Sequence, residues 1–396
     1  MSEYTSYFLY QRYEKRGDQP WLPSYPNTLS IDGGGTMPLV VKQEDDPACG
    51  YVPPVEPIYR WIDLDPTQDW ICADCESDIK VSGLYDSGQT FSVQCDGNPT
   101  LRRNDISGFA GLEYVRIGSC VTEIGNGSLS GRTLLQGVTM SPSVTTIGND
   151  AFRENAAMTD CVIPQSVTSI GDNAFNYCIS LQNVMLWDSI TSIGRGAFYN
   201  CDYLISVHIP TGLTSIPSSC FYNCGALSEI TIPNNVTSIG NWAFRECMGL
   251  VDLTIGSGVT SIGEMAFYRC TGLTSINIPD SVTSIGEDAF GSCSGLTNVT
   301  IGNGVTSIGR YAFENCKSLT SITIPSGVTS IDYEALYGCS SLASVTVNAI
   351  TPPTLGNSVF DGCWLLTTIY VPSGSVSAYK SAAKWSNYAS IIQPIT

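Results

Sequence analysis

An aromatic or apolar residue recurs every 23 positions along most of this chain. Ile106, Leu129, Phe152, Phe175, Phe198, Phe221, Phe244, Phe267, Phe290, Phe313 and Leu336 keep that spacing, and Phe360 follows after 24. A period of that length, kept ten times in succession, points to short coils stacked on one another, because a single coil cannot bury its own apolar side. About twelve such coils fit between the first marker and the last.

The coil starting at Phe290, FGSCSGLTNVTIGNGVTSIGRYA, shows how one unit is built. Phe290, Cys293, Leu296, Val299, Ile301, Val305 and Ile308 form its inward set. Alternation between Leu296 and Ile301 predicts a short strand with one buried face, and the β-branched VTSIG run predicts a second extended segment. Gly302, Gly304 and Gly309 mark the corners. Stacking leaves two open ends that need covers. In VSAYKSAAKWSNYASII, Val376, Tyr379, Ala383 and Trp385 recur at helix-like intervals opposite Lys380, Lys384 and Ser386, which predicts an amphipathic cap. The expected fold is a β-rich solenoid with a C-terminal helical cap and a separate small N-terminal segment. Its parts are residues 1–80, an attachment segment; 81–105, a lead-in and N-terminal cap; 106–372, the solenoid; and 373–396, the C-terminal cap.

Charge narrows the partners. The formal net charge is −18, and residues 1–100 contribute 16 acids against 6 bases, so an acidic N-terminal part precedes a less charged array. Such a surface repels phosphate backbones, and no nucleic-acid partner is expected. The start, MSEYTSYFLYQRYEKRGD, lacks a basic leader with an apolar core, and no run of 18 apolar residues follows. Neither export by a signal peptide nor membrane insertion is expected.

Thirteen of the sixteen cysteines fall into two sets. Cys178, Cys201, Cys224, Cys247, Cys270, Cys293, Cys316, Cys339 and Cys363 share one inward column, where a thiol serves as a small buried hydrophobe with a weak donor for a turn carbonyl. Asn155 stands in the same column. Cys49, Cys72, Cys75 and Cys95 are different: C-A-D-C has the spacing of half a zinc site. A tetrathiolate site requires Cys49 and Cys95 to converge on it, and two disulfides or four free thiols account for the sequence equally well. No cofactor is expected.

Catalytic apparatus is not visible. The single histidine, His208, falls at an outward strand position, and the repeat gives no reason for a buried carboxylate behind it. G-N-G and G-S-G sit at coil corners rather than between a strand and a long helix, as a phosphate-cradling loop would. The chain is expected not to be an enzyme.

Binding is expected on outward columns of the L-x-x-I-x-I strand. From Ser275 onward these columns hold almost only Ser, Thr and Asn, whereas earlier coils place Met185, His208, Glu229 and Asp252 there. Trp187 stands just past the strand, where Pro or Gly is usual. Met185, Trp187, His208, Glu229 and Asp252 are therefore the candidate ligand-binding residues. An exposed Trp187 suits a sugar ring or a partner side chain, or it packs over the turn. A second set, Tyr199, Tyr222 and Tyr268 with Trp242 and Tyr311, flanks the anchor phenylalanines on another side.

The repeated pattern C-x-x-L-x-x-I-x-I-P-x-x-V-T-S-I-G-x-x-A-F, which reads CTGLTSINIPDSVTSIGEDAF from Cys270 to Phe290, resembles the BspA-like leucine-rich repeat over about residues 106–372. The resemblance implies a leucine-rich-repeat solenoid, binding roles such as adhesion, and no catalytic residues. The stretch YQRYEKRGDQPWLPSYPNTLSIDGGGTMPLVVKQEDDPACGYVPPVEPIYRW resembles a leader on proteins of bacteriophages and prophages of gut Bacteroidetes. That implies a virion protein, at the tail or particle surface, assembled in the host bacterial cytoplasm. Residues 1–80 would contact other virion proteins, the chain would be a homo-oligomer in the particle, and the solenoid would meet a host-surface glycan or protein. The alternative is a bacterial cell-surface BspA-like adhesin. A carbohydrate-active enzyme comes third, because no carboxylate pair can be assigned.

Overall fold

The computed structural model describes residues 100–101, 111–118 and 121–396 in full, and upstream of them the backbone of a few short strands. The chain divides into two compact units, Met1–Ala73 and Asp74–Thr396. In the first, Tyr13–Glu14 pairs antiparallel with Leu22–Pro23, and Thr28–Ile31 with Gly35–Pro38.

The second unit is a parallel β-solenoid. Each coil contributes a longer strand, such as Ser275–Ile278 or Asn298–Ile301, and a two-residue strand, such as Ser284–Ile285 or Ser307–Ile308. Pairing runs from each residue to its equivalent 23 positions on: Ser275 to Asn298, Ile276 to Val299, Ser284 to Ser307. That register carries the sequence period directly into space, so each inward residue lies on its own counterpart. All seven inward residues of the Phe290 coil are buried. At the N-terminal side, Lys80–Gly83 turns back antiparallel on Thr90–Gln94, which then pairs in parallel with Tyr114–Ile117.

The third side of each coil has no strand, yet it is hydrogen-bonded just as regularly. Residues two before and two after each anchor take left-handed backbone angles; around Phe244 these are Trp242 at φ 59° and Glu246 at φ 63°. Alternate N–H groups then reach the next coil, Trp242 N to Glu264 O, Phe244 N to Ala266 O and Glu246 N to Tyr268 O, each at 2.8 Å. The N–H groups between them bond three residues back, as Arg245 N does to Trp242 O at 3.2 Å. Buried backbone polarity is thereby matched without a sheet.

Two columns fill the core beneath this side. The phenylalanine rings from Phe152 to Phe313 stack with centroids 5.1–5.5 Å apart. Beside them each column cysteine donates through Sγ to a main-chain carbonyl of the preceding coil, Cys178 to Phe152 O at 3.1 Å and Cys293 to Phe267 O at 3.1 Å. All eleven described cysteines are free and buried. Burial pushes the thiols of Cys178, Cys247 and Cys293 up to about 12. In the same column Asn155 plays the opposite part, accepting through Oδ1 from Arg132 N at 2.7 Å.

The C-terminal cap is shorter as a helix than its apolar spacing predicts. Val376–Ser381 is helical, but Ala382 is extended and Lys384 has φ 65°, so the chain restarts as a 3-10 turn over Trp385–Tyr388. Ala383 is consequently exposed and Ala382 turns inward. Tyr379 and Trp385 still close the last coil, donating to Ala349 O at 2.7 Å and Pro353 O at 2.8 Å. Ile392–Pro394 adds a final parallel strand to Thr368–Val371.

One coil interrupts both ladders at once. In neighbouring coils a glycine N–H bonds back to an isoleucine carbonyl, Gly194 to Ile170 O and Gly240 to Ile216 O, both at 2.8 Å. Pro217 holds the equivalent place and has no N–H to give. The ladder of two-residue strands ends at Ser192–Ile193 and restarts at Ser215–Ile216, and the long-strand ladder ends at Ser206–Val207 and restarts at Glu229–Ile232. These two breaks border the same coil; the long-strand ladder alone breaks again between Asp252–Ile255 and Ser275–Ile278 and between Asn298–Ile301 and Ser321–Ile324.

Candidate functional site

On the long-strand face, the candidate residues lie on successive coils. Val184 pairs with Val207, so Met185 and His208, one residue further along, hold equivalent places on adjacent coils; Glu229 and Asp252 are paired and exposed. Trp187 is half-buried and donates through Nε1 to Ile163 O of the preceding coil at 2.7 Å, so its polar end is used in holding the turn. His208 has a carboxylate neighbour that the repeat pattern does not announce. Its Nε2 lies 3.2 Å from Asp188 Oδ1, which also accepts from Thr211 N at 2.8 Å. The Thr211 N–H, and after it the His208 hydrogen bond, hold the Asp188 carboxyl below its usual range. Asp188 does for its turn what Asn234 and Asp280 do for theirs, accepting from Ser257 N and Asn303 N. Both members of the His208–Asp188 pair are more than half exposed, at 53% and 61% of the side chain, so water screens the pair strongly.

A second feature lies on the strandless side, at the interrupted coil. A cleft of about 650 Å³ runs across four successive turns. Asp172, Asn173 and Asn176 come from the first turn, Arg195, Gly196 and Tyr199 from the second, Ser219 and Tyr222 from the third, and Trp242 and Arg245 from the fourth. Tyr199, Tyr222 and Trp242 belong to the aromatic set that the sequence places around the anchor phenylalanines, whose other members, Tyr268 and Tyr311, do not line the cleft; polar residues that the pattern does not single out join them.

Departures from the repeat explain the hollow. A ladder of side-chain acceptors runs along these turns, Asn149 N to Asn126 Oδ1, Asp172 N to Asn149 Oδ1 and Arg195 N to Asp172 Oδ1. Arginine offers no acceptor, so the run stops at Arg195 and its exposed guanidinium is left outside the ladder. The next residue, Gly196, has φ 62° in a column where sibling coils carry Asn173, Ser219 and Trp242. A Cβ there would lie 2.6 Å from Asn173 Oδ1, so the missing side chain is what opens the cleft.

Its far wall is a stacked column. Tyr199 and Tyr222 lie 4.5 Å apart at 11°, and the Arg245 guanidinium sits 5.5 Å from the Tyr222 centroid and 5.1 Å from that of Tyr268. Glu246 Oε1 is 3.4 Å from Arg245 and 3.5 Å from Arg269. Three buried polar atoms in the walls, Asn176 Oδ1, Trp242 Nε1 and Arg245 Nε, have no hydrogen-bond partner among the described residues. Each such atom costs about 1–3 kcal/mol.

Basic side chains gather on the turn side of the later coils. All seven bases between residues 121 and 372, Arg132, Arg153, Arg195, Arg245, Arg269, Arg310 and Lys317, fall in the turn segments around the anchors, while the long-strand face carries Asp160, Glu229 and Asp252. Along this stretch an anionic group meets basic side chains on the turn side, where they stand among acids such as Asp172 and Glu246. Among the described residues no group of His, Cys, Asp and Glu is placed to hold a metal ion. Cys49, Cys72, Cys75 and Cys95, the candidate thiolate set, lie outside the described residues.

The family described as BspA type leucine rich repeat region matches this chain in six copies, over residues 99–178, 145–274 and 260–390. Comparison with curated proteins gives no match. Among solved structures the chain is similar to a leucine-rich repeat protein from Bacteroides ovatus, at 23% identity over 81% of this chain and 99% of that one, with a TM-score of 0.43. It is similar to a leucine rich cell surface protein from Faecalibacterium prausnitzii at 25% identity, with the same coverages and a TM-score of 0.39. The pneumococcal vaccine antigen PcpA matches at 17% identity over 81% of this chain and 96% of its own, with a TM-score of 0.46.

Proposed function

The chain belongs to the BspA-type leucine-rich-repeat family, and from that premise we propose that it is a non-catalytic recognition protein whose solenoid binds a glycan or protein on a host surface. The cleft between residues 172 and 245 carries this reading: it gathers an aromatic wall, free arginine charge and unpartnered polar atoms at one place. Groups of that kind, convergent and incompletely satisfied, are what a ligand completes.

In its finer form the proposal makes the chain a phage virion component, mounted at the tail or particle surface through residues 1–80 and repeated there as a homo-oligomer. The likeness of residues 10–61 to phage-encoded leaders supports this form. A bacterial cell-surface adhesin is the second reading, favoured by the family itself. Both readings use the solenoid in the same way and differ in what the first eighty residues hold on to.

Proteomics of purified virions separates them: peptides of this chain in washed particles are expected, and their absence there with presence on a bacterial surface selects the adhesin. Recognition itself is tested by binding of the full chain to intact host cells and to glycan and protein arrays. Failure to bind any of these, or turnover of a glycan by the chain, overturns the reading.

A further inference from the structure

We propose that the turn-side cleft binds a saccharide unit that carries a carboxylate, an inference that rests on reading the chain as a recognition protein. Its walls select for that chemistry in four ways. Trp242 is half-buried, lines the cleft and stacks on no ring among the described residues, so it is the aromatic left to pack on the apolar face of a sugar ring, whereas Tyr222 is already covered by Tyr199 and Arg245. The unpartnered atoms are of both kinds, donors at Trp242 Nε1 and Arg245 Nε and an acceptor at Asn176 Oδ1, on a residue only 8% exposed. Sugar hydroxyls both donate and accept, which suits such a mixed set. Arg195 lines the cleft as an exposed residue with its guanidinium in no ion pair among the described residues, ready for a carboxylate. A volume of about 650 Å³ falls in the range of about 300–1,000 Å³ that holds small ligands.

An acidic peptide added as a strand meets the charge but not the geometry. Peptides bound in that way gain affinity by pairing their backbone with free main-chain groups. Here those groups are committed: Asn173 N bonds Arg195 O at 2.8 Å, Gly196 N bonds Ser218 O at 3.1 Å, and Ser219 N bonds Asn241 O at 2.9 Å. The walls offer side chains only.

The strained backbone supplies a clean set of variants. Trp242 is held at φ 59°, an uncommon place for a bulky side chain, in a column that accepts Gly at 196 and Asn at 173. Trp242→Gly removes the platform and Gly196→Asn fills the hollow, both with residues the column already uses; Asn173 Oδ1, the atom nearest the added side chain, ends a side chain that can turn aside by giving up its hydrogen bond from Asn176 Nδ2. Arg195→Gln removes the charge.

Titration calorimetry of the full chain would use trigalacturonate and sialyllactose, with trigalacturonate methyl ester and lactose as neutral matches and a glutamate-rich hexapeptide as the rival. The expected result is binding of at least one carboxylated sugar, weakened at least tenfold in its neutral match and at least tenfold in each variant, with melting temperatures near wild type. Should Trp242→Gly fail to fold, Gly196→Asn and Arg195→Gln decide. The proposal is overturned if the hexapeptide binds better than the acidic sugars, if no acidic sugar binds, or if binding survives the variants unchanged. Recognition of host cells that persists in all three variants would overturn this site while leaving the recognition reading standing.

Discussion

Pro217 stands one coil after Gly194, at the place where Gly194 donates its N–H to Ile170 O at 2.8 Å, and proline has no N–H to continue that bond. The coils pack so closely at this column that a Cβ on Gly194 would lie 2.3 Å from Asp172 N. Proline therefore costs both a hydrogen bond and close approach, and the two-residue ladder stops there. Pro217→Gly is expected to restore the bond from residue 217 to Ile193 O and raise the melting temperature, on the order of 1 kcal/mol after the added chain freedom of glycine is offset. Native-state hydrogen exchange at Ser215 and Ile216 should slow in parallel. An unchanged or lowered melting temperature counts against the interruption as a weak joint.

Much of this architecture was legible in the residues themselves. The period located the Phe, Cys, Leu and Ile columns, because a 23-residue register leaves each inward position only its counterpart to pack on. The cleft was legible in part: Tyr199, Tyr222 and Trp242 stood out as aromatics flanking the anchors, but Arg195, Gly196 and Pro217 did not. Their meaning lies in what they replace, an acceptor, a side chain and an N–H, and it emerges only when adjacent coils are laid on each other. Asp188 was hidden for a related reason, since it reaches His208 across 20 residues between coils rather than along a strand. The C-terminal cap departed at Ala383, where the backbone breaks the helix that the apolar spacing assumed.

The column cysteines are expected to be chemically silent while the chain is folded. Burial raises their thiols, and only the thiolate reacts. Alkylation of native protein at pH 8, mapped by mass spectrometry, should leave Cys178, Cys247 and Cys293 unlabelled, and denaturant should expose them together. Labelling of Cys293 in the native chain would show that the column is open.

Asp288 gives stability a defined pH dependence. Burial first, then Glu314, Glu287 and Glu264, push its carboxyl up to about 6 against an opposing effect of Arg245; an unperturbed aspartate lies near 3.8. The folded chain thus keeps a proton that the unfolded chain releases, so stability falls as pH rises between about 4 and 6 and is fully lost from this source above about 6. Asp288→Asn, which tolerates the φ of 55° at this position, should flatten that part of the melting-temperature profile. Profiles of wild type and variant that stay parallel from about pH 4 to 7 contradict the assignment.

Hydroxyl-radical footprinting of the full chain on intact host cells tests the central claim most directly, because each candidate face carries side chains that radicals modify readily. Contact at the cleft predicts that Tyr199, Tyr222 and Trp242 lose reactivity while Met185 and His208 keep theirs. Protection of Met185 and His208 with an unchanged Trp242 would place recognition on the strand face and contradict the account.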